Sequence, residues 1–579
     1  MRNFLKMMLA VICGFALVSM IGIFVVLGLL GASMSKPAVS LGDNSIFKLE
    51  LSGVVQERSN DISDYVGMFG GDELSYIGLD DILSTIQAAT TNDDIKGIYL
   101  KCGILSAAPA SVSEIRDALL RFKTSGKFIV AYADNYSQSA YQIASVADKI
   151  YMNPEGILQV TGYSLQTVFF KDLLEKIGVE MQVVKVGTYK SAVEPYVLDK
   201  MSDANREQTQ QMANSLWNKF LTDVSLSRNV EVSKLNEFAD NGLVFDQAIQ
   251  TVNYKLVDSL IYECDIKDIL AKRVESDKKD LFFCSLKEMK SILKPSKYNE
   301  NKIALVYASG EIDGGNKDEE NINSKKLSKQ LLDIADDDDV KAVVLRVNSP
   351  GGSAFGSEQI WYALSKVKAK KPLIVSMGGY AASGGYYISC IADTIVAQPN
   401  TITGSIGIFG LIPNAKGLAD KIGLSFDGVK TNAMSDFGEI NRPMSEKEFS
   451  LMQAHVCRGY ELFVKRCAEG RSMSTDAIKA IAEGRVWTGE QALNNGLIDV
   501  LGNLDDALTI AVEKSGLESY ELVSYPEKKD FLTQLMEELS GVQTKIRSVA
   551  NPSMYIQHFK GLINGNALQA RMPYFLIIK

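Results

Sequence analysis

Histidine is nearly absent from this sequence, since 579 residues include only His455 and His558. One lies in a helix-like stretch and the other in the C-terminal tail. Both are far in sequence from the glycine-rich segment GGYAASGGYYIS at residues 378–389. The histidine that commonly activates a catalytic serine therefore has few candidates here. A serine nucleophile in this chain would need another base.

Signatures of metal sites, disulfide frameworks and nucleic-acid binding are also missing. The cysteines are odd in number, widely scattered and without a CxxC pair, so we expect no metal site, no disulfide framework and no cofactor. The net charge is −9, and no dense group of Lys and Arg alternates with aromatic residues. This balance argues against a nucleic-acid partner. The cysteines are Cys13, Cys102, Cys264, Cys284, Cys390, Cys457 and Cys467.

Charge is absent from residues 7–35, which contain a continuous apolar run of 24 residues. A bilayer core needs about 20 apolar residues, whereas a cleaved signal peptide has an apolar region of roughly 7–15, so a membrane anchor fits better. Arg2 and Lys6 precede the run and place the N-terminus in the cytoplasm. The alternative is a signal peptide that is cleaved near GASMS. Both alternatives place the body after Lys36 outside the cytoplasm.

The chain contains an internal repeat. Residues 128–154 align without a gap on residues 373–399, with a constant offset of 245 positions. The same offset pairs KIG at 176–178 with KIG at 421–423. Such a constant register indicates a duplication, and a chain of this length is too long for one core. We predict an anchor region at 1–36, a first repeat at 43–291, a second repeat at 301–525 and a C-terminal helix and tail at 526–579.

Each copy alternates short apolar runs with helical patterns. In the second copy, runs rich in Val, Ile and Leu at 341–347, 371–377 and 393–399 are typical of buried parallel strands. Residues 357–370 have helical spacing and a serine at the start that predicts a cap. The repeated strand–helix–strand order predicts an α/β fold with a largely parallel sheet in each half.

The two copies differ at the positions that carry reactive groups. Ser383 of the second copy aligns with Gln138, whereas Lys190 of the first copy aligns with Ser435. The second copy also has small polar loops that the first has lost: Gly351 and Gly352 align with Ser106 and Ala107, and Ser405 aligns with Val160. The second copy thus retains a serine and the first a lysine, which together suit an acyl-transfer site.

A lysine can activate a serine only as a neutral amine, so its pKa must fall from about 10.4 by several units, which burial can cause. Lys190 follows the apolar run MQVVKV, which favours burial, and Ser405 is a candidate to orient the amine. The N–H groups of Gly351, Gly352 and Gly384 are candidates for an oxyanion hole. Taken singly, each has a simpler interpretation: a packed turn or a solvated surface lysine.

The segments SPGGS, GGYAASGGYYIS, TGSIGIFG and VGTYKSAVEP together resemble the long, duplicated form of the signal peptide peptidase A (protease IV) family. The resemblance covers nearly the whole chain after the apolar run. It implies two tandem ClpP/crotonase-like domains after a single N-terminal transmembrane helix. It also implies a serine endopeptidase with a Ser-Lys dyad. In that family pattern Ser383 is the nucleophile, Lys190 the general base and Ser405 the lysine-orienting hydroxyl. The oxyanion hole is then formed by Gly351, Gly352 and Gly384.

The resemblance further implies a homotetramer in the bacterial inner membrane, with its catalytic body on the periplasmic side. The expected substrates are cleaved signal peptides and other apolar, unfolded peptides. Two other functions stay open. A crotonase-type acyl-CoA enzyme shares the fold, but CoA is cytoplasmic and such enzymes need no serine. A non-catalytic membrane scaffold is the other, although intact Ser383 and Lys190 argue against it.

Overall fold

The computed structural model describes residues 41, 42, 44–59, 76–293, 298–314, 321–527 and 569–571, with five isolated positions among the first 20. Within these residues no helix has the length and apolar character needed to cross a membrane. Apart from those five positions, the predicted anchor lies outside the described residues, as does the amphipathic helix that the sequence predicts over 531–548. The four predicted domain boundaries stay predictions.

The first half is built on a seven-stranded, wholly parallel sheet with the order β2-β1-β3-β4-β5-β7, in which β8 pairs with β1. Its strands, together with β6 of another sheet, are β1 Ser45–Gln56, β2 Tyr76–Gly78, β3 Ile95–Ser106, β4 Phe128–Ala133, β5 Lys149–Met152, β6 Glu180–Lys185, β7 Ser259–Leu260 and β8 Phe282–Ser285. The α-helices are α1 Leu79–Thr91, α2 Pro109–Lys123, α3 Gln138–Ala144, α4 Lys171–Ile177, α5 Glu194–Val197, α6 Asp203–Arg228, α7 Val232–Asp240, α8 Ala248–Asn253, α9 Ile266–Arg273 and α10 Leu286–Ser291.

The second half has an eight-stranded sheet with the order β16-β14-β12-β10-β9-β18, extended by β13 and β17. Its strands and those of the smaller sheet below are β9 Lys302–Ser309, β10 Val340–Ser349, β11 Gly351–Ser353, β12 Leu373–Ala382, β13 Thr394–Ala397, β14 Ile402–Gly404, β15 Phe409–Asn414, β16 Val486–Thr488, β17 Val500–Leu501, β18 Glu521–Tyr525 and β19 Gln569–Arg571. The α-helices are α11 Ser324–Asp336, α12 Ala354–Lys368, α13 Gly384–Ser389, α14 Lys416–Lys421, α15 Glu446–Arg471, α16 Thr475–Ile481, α17 Gly489–Asn494 and α18 Leu504–Ser515.

The apolar runs of the second copy form the central strands β10, β12 and β13, which pair in parallel. They are almost completely buried because helices cover both faces of the sheet, as the continuous hydrophobic runs predict. Helix α12 begins at Ala354, three residues before the predicted start at Ser357. The cap is Ser353, whose side chain accepts a hydrogen bond from the N–H of Gly356 at 3.1 Å.

A third sheet, with the order β11-β19-β15-β6, joins the two halves. Strand β6 of the first half runs antiparallel to β15 of the second, from Phe409 opposite Lys185 to Asn414 opposite Glu180. Val184 of β6 is fully buried and packs in the main core of the second half. This pairing places the segment after β6, which contains Lys190, against the second half.

Candidate active site

Ser383 occupies a sharp turn between strand β12, which ends at Ala382, and helix α13, which begins at Gly384. Its φ of 55° lies in the left-handed region, which non-glycine residues adopt rarely and at a cost of about 1–3 kcal/mol. Two backbone hydrogen bonds hold this conformation: its N–H donates to the carbonyl of Gly404, and its carbonyl accepts from Tyr387, both at 2.8 Å. The fold thus fixes the serine rigidly at the end of a central strand.

Lys190 lies completely buried beside this serine. Its Nζ is 2.8 Å from Oγ of Ser383, 3.0 Å from Oγ of Ser405 and 3.0 Å from the backbone oxygen of Ser405. All three residues belong to the same chain, with 193 positions between Lys190 and Ser383. Burial away from water lowers the pKa of the Lys190 amine well below its ordinary value. Burial therefore favours the neutral amine, which is the form that can accept a proton.

Ser405 is also fully buried and has a positive φ of 52°. Its N–H donates to the carbonyl of Arg485 at 2.6 Å, which holds the turn against the segment that precedes β16. Oγ and the backbone oxygen of Ser405 each lie 3.0 Å from Nζ of Lys190. The structure brings together the three polar residues that the sequence singled out.

Two residues that pack around Lys190, Gln208 and Gly484, were not identified from the sequence. The side-chain amide of Gln208 donates to the carbonyl of Tyr189 at 3.1 Å and to Oγ of Ser191 at 3.0 Å. It therefore hydrogen-bonds to the residues on both sides of Lys190. Gly484 lies so close that a Cβ there would be 2.6 Å from Cβ of Lys190. Both contacts join segments distant in sequence, and neither residue belongs to a motif.

The two glycine turns also lie together. A Cβ added to Gly351, whose φ is 100°, would lie 2.7 Å from the backbone nitrogen of Gly384. The N–H of Gly351 itself donates to Oγ of Ser349 at 3.2 Å. At Gly352, with a φ of 153°, a Cβ would lie 2.2 Å from the carbonyl oxygen of Ile312. Side chains are therefore excluded around the residue that follows Ser383.

The one histidine among the described residues lies on the surface, whereas Ser383 is buried. His455 is exposed on α15, where its Nδ1 lies 3.2 Å from a guanidinium nitrogen of Arg458. An exposed ring is poorly placed to reach the fully buried Ser383, and His558 lies outside the described part of the chain. Within that part, no three His, Cys, Asp or Glu side chains form a group that could hold a metal ion.

Two family models match this chain. The model described as Peptidase family S49 matches twice, at residues 121–277 and 365–518, so each half carries one match. The model described as Clp protease matches residues 299–402, the segment that contains β9 to β13 and Ser383. This second match assigns a ClpP-like fold to the parallel sheet around the serine.

Curated relatives match most of the chain. "Protease 4" of Salmonella typhi is 37% identical over 507 residues, which are 85% of this chain and 82% of the relative. "Protease 4" of Haemophilus influenzae is 35% identical and covers 83% of this chain and 80% of its own. "Serine protease SPPA, chloroplastic" of Arabidopsis thaliana is 29% identical and covers 86% and 74%. With a buried serine and lysine in contact and these matches along both halves, the chain belongs to peptidase family S49 and is a serine protease.

Proposed function

We propose that this protein is a membrane-anchored serine endopeptidase in which Ser383 is the nucleophile and Lys190 the general base. The observation that carries the proposal is the 2.8 Å distance between Oγ of Ser383 and Nζ of a lysine with no exposed surface. A hydroxyl becomes an effective nucleophile only when a base within hydrogen-bond reach takes its proton. Among the described residues, Lys190 is the titratable side chain that contacts Oγ of Ser383.

The three partners of Lys190 fit a neutral amine. Such an amine has two N–H donors and one lone pair, whereas an ammonium has three donors and no acceptor. The backbone oxygen of Ser405 can only accept, and its Oγ can also accept, so the two N–H groups are used on this residue. The lone pair is then directed at Ser383, whose hydroxyl donates to it. Ser405 thereby acts as a positioning residue for the base.

The proposed reaction follows from this arrangement. Oγ of Ser383 attacks the carbonyl carbon of a peptide bond while Lys190 takes the hydroxyl proton. The negative charge moves to the carbonyl oxygen, where backbone N–H groups stabilise it. Because Gly351 already donates to Ser349, the N–H groups of Gly352 and Gly384 are the stronger candidates. Lys190 then gives the proton to the leaving amine, and water hydrolyses the resulting ester by the same path.

The membrane anchor, the periplasmic location and the tetramer belong to this proposal as well. They are supported by the uncharged run at 7–35, by the positive residues before it and by the resemblance to the duplicated family form. An enzyme anchored in this way meets apolar peptides at the bilayer surface, of which cleaved signal peptides are the expected class. Sedimentation of the full chain with membranes in high salt, and light scattering in detergent, test the anchor and the tetramer.

A competitive digest tests the function. The full chain in detergent is mixed with unfolded signal peptides and folded globular proteins, and the products are identified by mass spectrometry. We expect cuts in the signal peptides after small or apolar residues and no cuts in the folded proteins, because a buried serine admits only an extended chain. Ser383→Ala is the control and should give no products. Cleavage mainly after charged residues, or efficient digestion of folded proteins, would contradict the proposal.

The pH dependence tests the base. Only the neutral amine accepts a proton, so kcat/KM should rise tenfold per pH unit up to the pKa of Lys190 and then level off. Because burial lowers that pKa, the plateau should begin well below pH 10. Replacing both His455 and His558 by glutamine should leave the profile unchanged. A rise centred near the free-lysine value of about 10.4, or loss of activity in the double histidine variant, would contradict Lys190 as the buried base.

A further inference from the structure

The side chain of Gln208, on helix α6, is almost completely buried and uses both ends of its amide. A primary amide has N–H donors at one end and a carbonyl acceptor at the other. Nε2 donates to the carbonyl of Tyr189 and to Oγ of Ser191, the residues on either side of Lys190. Oε1 accepts the N–H of Val486 at 3.1 Å. The amide therefore joins the backbone around the lysine to a segment almost 300 positions later in the chain.

The contact with Val486 leads to the other partner of the base. Val486 begins β16, and the carbonyl of the preceding residue, Arg485, accepts the N–H of Ser405 at 2.6 Å. Oγ and the backbone oxygen of Ser405 are both 3.0 Å from Nζ of Lys190. The single amide of Gln208 thus links the backbone that carries the amine to the backbone that holds its two acceptors.

The two linked segments are in direct contact. A Cβ added to Gly484 would lie 2.6 Å from Cβ of Lys190 and 2.7 Å from its backbone nitrogen. The N–H of Tyr189 donates to the carbonyl of Glu483 at 2.9 Å. Any separation of these segments would move Nζ away from Oγ of Ser383. A displacement of about 1 Å at a reacting group can lower a rate by about 100-fold.

The charged groups near this amide have other partners. The guanidinium of Arg485 donates to Glu207 at 2.9 Å, and the carboxylate of Glu194 accepts from the amide of Asn205 at 2.7 Å. Among the described residues, the hydrogen bonds of Gln208 all involve uncharged groups. Gln208 therefore links the two segments without placing a charge beside the buried amine, whose pKa a neighbouring charge would change.

We propose that Gln208 is a positioning residue for the base: it holds Lys190 in register with the turn of Ser405, so that the amine stays at hydrogen-bond distance from Ser383. This inference rests on the proposed function. Because the side chain of Gln208 is almost completely buried, it is poorly placed to contact a bound peptide. Its loss should therefore slow the chemical step and leave peptide binding nearly unchanged.

Steady-state hydrolysis of a signal peptide by the full chain in detergent tests the role. Methionine fills the space of glutamine without its hydrogen bonds. We expect Gln208→Met to lower kcat by about 10–100-fold while KM stays within about threefold. Gln210→Met, at an exposed position of the same helix, should behave like the wild type. Unchanged kcat in Gln208→Met, or a loss confined to KM, overturns the inference. Wild-type protein that hydrolyses no peptide contradicts the proposed function itself.

The variant Gln208→Glu separates positioning from packing. A protonated carboxyl has one O–H donor and one carbonyl acceptor, as the amide requires, whereas a carboxylate cannot donate to the carbonyl of Tyr189. We expect kcat of this variant relative to wild type to be highest in mild acid. It should fall by about tenfold or more toward pH 9, which corresponds to the loss of one buried hydrogen bond. A ratio that is low and constant with pH, as lost packing alone would give, overturns the inference.

Discussion

Replacing Lys190 by methionine, or Ser383 by alanine, should lower kcat/KM for peptide hydrolysis by about 10⁴-fold or more, as removal of one member of a catalytic unit does elsewhere. Methionine keeps most of the buried volume of the lysine and removes only the amine, so the fold should persist. Without Lys190 no base contacts Oγ of Ser383 at 2.8 Å. Without Ser383 the proposed nucleophile itself is missing.

Labelling by a fluorophosphonate probe separates the two roles. The wild-type protein should react, Ser383→Ala should not react at all, and Lys190→Met should react much more slowly because its serine is present but not activated. Lys200→Met and Ser435→Ala change the same residue types at exposed positions and should retain wild-type activity. Substantial turnover by Lys190→Met or Ser383→Ala would refute the dyad.

The contribution of Ser405 should be smaller. Its alanine variant loses one of two contacts with Nζ of Lys190, since the backbone oxygen at 3.0 Å remains. A loss of roughly tenfold to hundredfold corresponds to one buried hydrogen bond of about 1–3 kcal/mol. If Ser405→Ala were as inactive as Lys190→Met, the hydroxyl would have a larger role than positioning the amine.

Arg346→Met should lower the free energy of unfolding by about 3–5 kcal/mol, which is the usual effect of removing one partner from a buried ion pair. The guanidinium of Arg346 lies 2.8 Å from the carboxylate of Glu57 and 2.8 Å from that of Glu114, and all three side chains are buried. Both glutamates belong to the first half and the arginine to β10 of the second. The substitution therefore leaves two buried carboxylates without their shared cation, at the contact between the halves.

A surface ion pair provides the matched control. Arg121 and Asp505 also join the two halves, at 2.6 Å, but their side chains are 40% and 55% exposed. Exposed pairs contribute about 0–1 kcal/mol, so Arg121→Met should change stability little. Denaturation of the full-length variants in urea, with the wild type in parallel, measures both effects. Equal losses of unfolding free energy in the two variants would show that the buried ion pairs of Arg346 contribute no more to stability than the exposed pair.

The effect of Arg346→Met should also depend on pH. Burial raises the pKa of the Glu114 carboxyl, while Arg346 opposes this rise, so the variant should have a still higher folded-state pKa. A carboxyl whose pKa is raised by folding binds a proton more readily in the folded state, and stability is lost as pH rises from the unfolded value through the folded one. The loss relative to wild type should therefore be smallest in mild acid and grow toward pH 8.

The residues of the candidate site could largely be predicted from the sequence, because a duplication leaves two copies that can be aligned residue by residue. A constant offset of 245 positions aligned the copies and showed that the serine and the lysine survive in different halves. The structure places Nζ of Lys190 at hydrogen-bond distance from Ser383 and Ser405, as that comparison anticipates. Their catalytic roles stay predictions until the variants are measured. The supporting residues Gln208 and Gly484 were missed, because their contacts join segments that no motif links.

The α/β pattern, the largely parallel sheet in each half and the residue types available for catalysis could be predicted from the sequence. These properties follow from hydrophobic periodicity and from the repeat, which are local or linear features of the chain. Packing of the two halves establishes how β6 places Lys190 beside Ser383 and how Arg346 joins the halves, and folding of the second half establishes where β19 lies. The three residues of β19 have no distinctive sequence pattern. Their position depends on the edges of β11 and β15 and on the ion pair between Arg571 and Glu311, which form only when the second half has folded.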